Sequence, residues 1–258
     1  MSFIHAFILG IIEGITEFLP ISSTAHLLIT SRLLHISQTD FQTFFDIFIQ
    51  SGAILAVVFL YFQYVIKNKD LWGKIIISFI PTAIVGLVLE KIIKRYFFNS
   101  LYLIIVAMFS IGALFIVFEL LVKNKKLSLK KSIGQLTIWH AIFVGMIQSL
   151  AVVPGVSRAG AVMLGMMSLG YRRDESAVYS FLLAVPTILA ASGLEVLKTD
   201  FRLIIAPANL LFLGVGFFVS LITAYLVVRW FIGFLQKNSL VSFGVYRMLI
   251  SVCLIIFR

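Results

Sequence analysis

Along the chain, long apolar runs alternate with short polar breaks, and the runs fall into two length classes. Six of them, at roughly 44–65, 75–90 (starting near Leu71), 101–122, 176–197, 208–232 and 241–257, approach the ~20 residues that a helix needs to cross a bilayer. Two further stretches are built differently. Residues 3–19 are apolar apart from His5, Glu13, Thr16 and Glu17 and are closed by Pro20; Ser22 and Ser23 then precede a short apolar run at about 24–34 and read as its helix caps. Residues 137–150 and 156–169 repeat the device, joined by Val153-Pro154-Gly155, with Ser157 and Arg158 just past the break. Short helices that meet at a proline and carry polar groups at the joint predict re-entrant hairpins. Their turns should line a pocket, because non-helical backbone at membrane depth is tolerated only where protein or a water-filled cavity surrounds it.

The two hairpins resemble each other. Set one over the other, GIIEGITEFLPISSTAH and GMIQSLAVVPGVSRAG match with one gap, placing Glu13 opposite Gln148 and Pro20 opposite Pro154. Downstream, Ile54-Leu55-Ala56 lies as far after Pro20 as Ile188-Leu189-Ala190 lies after Pro154, which points to an internal duplication of about 134 residues. Three full spans separate the copies, so they enter from opposite sides. The predicted fold is an all-α polytopic membrane protein, a single membrane domain over residues 1–258. It has six transmembrane helices plus two re-entrant helical hairpins in an inverted-topology repeat, repeat one at about 3–122 and repeat two at about 137–257.

Composition agrees with this plan and excludes a water-soluble core. Of the 258 residues, 61% are hydrophobic and 12% charged, and the mean hydropathy is +1.09. The formal charge of +10, from 21 Lys and Arg against 11 Asp and Glu, does not call for a nucleic-acid partner, because basic loops follow from membrane topology and anionic lipid headgroups. Lys67, Lys69, Lys74, Lys123, Lys125, Lys126, Lys130, Lys131, Arg172, Arg173, Arg229 and Lys237 share one face, twelve in all; Arg32, Lys91, Lys94, Arg95, Lys198, Arg202 and Arg258 make seven on the other. The richer face is assigned to the cytoplasm, so both termini and the first hairpin are expected to open outward. The lone Cys253 cannot form an internal disulfide, and the first residues lack the pattern of a removable signal peptide.

The chemistry lies in the hairpins. Glu13 and Glu17 are one helical turn apart, where like charges repel, and a carboxylate inside a membrane segment marks a functional site by default. Two carboxylates on one face can hold a divalent cation, Mg²⁺ or Ca²⁺, with one of them acting as a base; alternatively one is a protonated structural carboxyl and the other a partner of Arg158. Arg158, at the start of a helix after a Pro-Gly break, is set where backbone N–H groups and a guanidinium fork bind phosphate, or else it only neutralises a glutamate. Ser22 and Ser23 taken alone are caps. His26, three residues after Ser23, places a base beside a nucleophile on one helix face. Asp46, Gln50 and Ser51 stand early in the first long run, either lining the cavity mouth or packing as polar groups at a span end; His5, His35 and His140 lack such company and read as interfacial or structural.

With these residues in hand, the chain resembles the bacitracin-resistance type of undecaprenyl-diphosphatase over essentially its whole length. The family's E-x-x-x-E-F-L-P-x-S-S-T-x-H stretch stands here as Glu13-Gly-Ile-Thr-Glu17-Phe-Leu-Pro20-Ile-Ser22-Ser23-Thr24-Ala-His26. Its P-G-x-S-R-S-x-x-T stretch stands as Pro154-Gly155-Val156-Ser157-Arg158-Ala159-Gly160-Ala161-Val162, where Ala159 and Val162 replace a serine and a threonine and remove two hydroxyls available to a phosphate. FIQSGAILAVV, RRDESAVYSFLLAVPTILAA, AYLVVRWF and FGVYRMLI also look like the family.

The resemblance implies hydrolysis of undecaprenyl diphosphate to the monophosphate at the outer face of the cytoplasmic membrane, recycling the carrier lipid for cell-wall synthesis. Carried over, Glu13 and Glu17 would bind the cation, Arg158 would hold the diphosphate, and Ser23 with His26 would supply nucleophile and acid-base function, with Glu17 also catalytic. Ser22, Thr24, Gln50, Gly155 and Ser157 would contact substrate. The partners implied are the polyprenyl diphosphate and membrane lipids, and the assembly, homodimer or monomer, is left open. A carrier or flippase for the same anionic lipid is the competing function, since inverted repeats with broken helices also build alternating-access transporters.

Overall fold

The computed structural model describes residues 1–92 and 100–256, with side chains described except at 90–92. Lys94, Arg95 and Arg258, which enter the sidedness count, lie outside the described residues, as does the side chain of Lys91. The described residues form helices in the order α1 (Phe3–Thr16), α2 (Ser23–Leu33), α3 (Asp40–Lys67), α4 (Lys69–Ile92), α5 (Leu101–Lys123), α6 (Ile138–Ser149), α7 (Arg158–Ser168), α8 (Arg173–Lys198), α9 (Phe201–Ile205), α10 (Pro207–Lys237) and α11 (Val241–Ile256), with no strand among them.

Helix boundaries follow local chemistry. Thr39, Ser100 and Thr137 accept a backbone N–H from three residues on, starting α3, α5 and α6. Pro207, whose missing N–H costs nothing in a first turn, opens α10. The first run stops at Thr16 rather than Leu19, because Pro20, four residues on, has no N–H to give the Thr16 carbonyl.

Five helices, α3, α4, α5, α8 and α10, are long and apolar enough to cross a bilayer. The sixth predicted crossing is shorter than expected: α11 has 16 residues, about 24 Å of helix against a hydrocarbon core of about 30 Å. Large apolar side chains such as Phe59, Leu87, Leu114, Leu197, Phe218 and Leu249 are exposed along these helices. That surface belongs in lipid, and the chain is a multi-pass membrane protein.

Without a hydrophobic force between helices in lipid, association depends on close backbone approach at small residues. Glycines supply it here. A Cβ at Gly14 would lie 2.7 Å from the Ser220 carbonyl oxygen, so α1 seats directly on α10. Gly145 seats α6 against the Ser78 carbonyl of α4 in the same manner, and Gly112 and Gly244 face each other between α5 and α11. The opening helix of each half therefore packs on a long helix of the other half, and the two breaks, after α1 and after α6, come together around one cavity.

Candidate active site

The residue just ahead of the second helix adopts the same backbone in both breaks. Ser22, just ahead of α2, has φ 74° and ψ 92°; Ser157, just ahead of α7, has φ 72° and ψ 115°. Non-glycine residues held there cost of order 1–3 kcal/mol each, and such strain gathers at functional sites. The serines are 135 residues apart, as are Glu13 and Gln148, and Ser23 and Arg158. No gap is needed, and the sequence alignment is corrected: Pro20 stands opposite Gly155, not opposite Pro154. Gly155 has φ 96°, and a Cβ on it would lie 2.6 Å from the Ile104 carbonyl oxygen. Only glycine fits that turn.

A cavity of about 170 Å³ lies between the two turns. From the first half it is lined by Glu17, Ser22, Ser23, Thr24 and Gln50, and from the second by Gly155, Ser157 and Arg158. The groups the sequence singled out from opposite halves thus meet in one place. Thr187 of α8 joins them and donates to the Leu183 carbonyl at 2.8 Å.

Glu17 is the centre of the arrangement. Ser23 Oγ donates to its Oε2 at 2.6 Å, and Arg158 Nη2 donates to its Oε1 at 3.0 Å. Arg158 Nη1 is held by the Ser180 carbonyl at 2.9 Å. The ion pair is nearly dry, with 11% of the arginine side chain and 6% of the glutamate exposed. The pairing of Arg158 with a glutamate, an alternative on the sequence, is thus realised, and the guanidinium still faces the cavity.

Two sequence expectations are corrected here. His26 is not placed as the base for Ser23: its Nδ1 bonds the Ser22 carbonyl and its Nε2 the Tyr246 hydroxyl, both at 2.8 Å. Both ring nitrogens are taken, and the ring lies stacked on Tyr246, outside the cavity lining. Ser22 makes no side-chain cap, and Ser23 spends its hydroxyl on Glu17. The first N–H groups of α2 are therefore left without a side-chain acceptor, beside the cavity, where an anion is favoured. Ser157 does cap α7, accepting the Gly160 N–H at 3.2 Å.

Glu13 is fully buried and does not line the cavity. Neither of its carboxylate oxygens has a hydrogen-bond partner, and Glu17, Asp46 and Arg158 lie within electrostatic range. Two unpartnered oxygens a turn away from Glu17 suit a divalent cation, which is commonly held by one or two carboxylates plus substrate phosphate oxygens. Among the described residues no three His, Cys, Asp or Glu are grouped to hold a metal ion by themselves. Asp46 accepts from Gln42 at 2.7 Å and Ser51 donates to Ser192 at 3.0 Å, so of that trio only Gln50 reaches the cavity. Ala159 and Val162 are completely buried and are not among the residues that line the cavity.

The sequence reading missed Arg247 and Tyr246 on α11 and Thr187 on α8. Arg247 carried a signal, as a basic residue in the middle of the last apolar run.

A strained pair of turns, a serine on a carboxylate, and an arginine from the opposite half form a constellation that can be compared with known proteins. The family model described as Bacitracin resistance protein BacA matches residues 6–253. The chain belongs to that family. Its relatives in the family include a protein of Persephonella marina named Undecaprenyl-diphosphatase, 42% identical over 257 residues that cover 100% of this chain and 99% of the relative. A protein of the same name from Aquifex aeolicus is 42% identical over 247 residues, 96% of this chain and 95% of its own. Another, from a Sulfurihydrogenibium species, is 43% identical over 253 residues, 98% of each.

Proposed function

We propose that this member of the family hydrolyses undecaprenyl diphosphate to undecaprenyl phosphate and inorganic phosphate. The observation that carries the reading is the Ser23–Glu17–Arg158 constellation in a polar cavity between two helix starts inside a membrane protein. Water supplies the oxygen and the bond broken is the P–O bond to the terminal phosphorus.

Arg158 and the free N–H groups at the start of α2 bind the phosphate oxygens and offset charge as the bond breaks. Glu17, already hydrogen-bonded to Ser23 Oγ, takes the proton of the attacking group. That group is Ser23 itself, giving a phosphoserine that water then cleaves, or a water held in its place. Glu13 and Glu17 would hold a divalent cation, which when bound would supply charge neutralisation for the phosphate. The cavity takes a headgroup and not a lipid chain, so the polyprenyl tail extends along the apolar outer surface.

In this reading α1–α2 and α6–α7 are the two re-entrant hairpins of an inverted repeat, and α11 is a sixth, short crossing. The exchange of helices between halves, α1 on α10 and α6 on α4, supports that plan. The cavity opens to the outer face of the cytoplasmic membrane, where carrier lipid diphosphate is released by cell-wall synthesis; the loop charge excess supports this sidedness. A carrier for the same lipid would need the anion-binding groups but not a serine set on a carboxylate. Purified protein in detergent is expected to release phosphate from undecaprenyl diphosphate with Mg²⁺ or Ca²⁺. Tight binding of the lipid with no phosphate released would overturn the reading and favour carriage.

A further inference from the structure

Arg247 is fully buried in α11, yet its hydrogen-bond partners are all backbone carbonyls. Nε donates to Met108 of α5 at 3.2 Å and Nη1 to Pro20 at 3.0 Å; Nη2 donates to Gly155 at 2.5 Å and Val156 at 3.2 Å. One guanidinium thus grips the turn before α2 and the turn before α7 together. Among the described residues no carboxylate lies within ion-pair distance of it. Its neighbour Tyr246 holds the first turn at a second point. Ser22 O can only accept, so His26 Nδ1 carries the proton and, in the neutral ring, Nε2 accepts from Tyr246 OH.

These contacts have a directional effect. Among the described residues every peptide bond is trans, and in a trans peptide the N–H points opposite to the C=O. With the Val156 carbonyl fixed on Arg247, the Ser157 N–H points away from it, and Ser157 is a lining residue of the cavity. A planar fork with five donors can satisfy carbonyls from two separate turns; a lysine ammonium, a compact point charge, cannot span them.

We propose that Arg247 is a positioning residue for the hydrolysis, fixing the separation of the two turns that carry Ser23 and Arg158 and aiming the Ser157 N–H, with Tyr246 as an auxiliary hold through His26. The proposal rests on the hydrolytic reading above, and the two fail separately: absence of phosphate release by the wild type sinks that reading, whereas active Arg247 variants sink only this one.

The experiment compares wild type with Arg247→Lys, Arg247→Met and Tyr246→Phe, measuring kcat, KM, Tm and the folded fraction by gel filtration. Displacement of reacting groups by about 1 Å costs roughly 10²-fold. Arg247→Lys is expected to lose about that much kcat per folded molecule, with KM within about threefold because the charge is kept. Arg247→Met is expected to lose as much kcat and to raise KM as well. A kcat per folded molecule within about threefold of wild type in either variant overturns the proposal. If neither Arg247 variant folds, Tyr246→Phe decides: a fall of about tenfold in kcat at unchanged Tm supports the clamp, and an unchanged kcat overturns it.

Discussion

Ser23 Oγ donates to Glu17 Oε2 at 2.6 Å across the turn between α1 and α2, so the serine is paired with a carboxylate and not with an imidazole. The same carboxylate takes Arg158 on its other oxygen, which ties Ser23 of the first half to the guanidinium of the second.

Glu17→Gln is therefore expected to lose activity by roughly 10²–10⁴-fold, the usual contribution of a positioned base. It also strips a buried cation of its partner, a change that costs about 3–5 kcal/mol, so Tm falls too. Activity per folded molecule separates the two effects. Ser23→Ala should show a similar activity loss with little change in Tm. Rapid quenching with labelled substrate then assigns the attack: label on Ser23 means its oxygen attacks, and none means that a water does.

The ring nitrogens of His26 are engaged by the Ser22 carbonyl and the Tyr246 hydroxyl and not by Ser23. His26→Gln, which can still donate to the Ser22 carbonyl, should keep a measurable rate, about tenfold down at most. The shape of its pH–rate profile should match wild type. A profile that loses one limb in the variant would restore the histidine to an acid-base role.

No N–H or hydroxyl donor reaches the Glu13 carboxyl, whose near neighbour is the Glu17 carboxyl. Glu13→Gln should leave Tm unchanged or higher, since it removes a buried carboxylate without partners. The Mg²⁺ or Ca²⁺ concentration for half-maximal activity should rise more than about tenfold. A chelator should abolish wild-type activity reversibly; full activity in chelator would end the cation assignment.

Ala159 and Val162 lie in the core, away from the cavity. Ala159→Ser and Val162→Thr, which restore the two hydroxyls of the family pattern, are expected to leave KM for a polyprenyl diphosphate unchanged within about twofold. Val162→Thr should lower Tm, because burying a hydroxyl without a partner costs about 1–3 kcal/mol.

Helix packing makes a separate prediction. A Cβ on Gly52 would collide with the Phe217 carbonyl oxygen of α10, whereas one on Gly193 would meet open space. Gly52→Ala should destabilise by at least about 1–3 kcal/mol, and Gly193→Ala should stabilise by about 0.5–1 kcal/mol. Thermal melts in detergent read both.

How much of this was legible in the sequence depends on the range of the interaction involved. Hydrophobic run length is local, so the positions of α3, α4, α5, α8 and α10 followed from it, and Pro20 and the Pro154-Gly155 pair marked the breaks. The glutamates, serines and Arg158 at the breaks announced themselves because polar groups are costly in apolar runs, and most of them do meet in one cavity. The spacing of Ser23 and His26 was read correctly as one helix face, but spacing does not fix which way a side chain turns. Only the tertiary structure put a charged acceptor, Glu17, within reach of Ser23 and drew His26 back to the Ser22 carbonyl and across to Tyr246. The partners of Arg247 were beyond sequence altogether, since backbone carbonyls are the same at every residue and only the folded chain decides which of them point at one guanidinium. The sequence by itself determined that the chain is a membrane protein with two broken helical pairs bearing an acidic and a basic half-site. The tertiary structure decided how those halves are joined, because hydrogen-bond direction and the separation of the two turns are set by the packing of α1 on α10, α6 on α4 and α11 on α5.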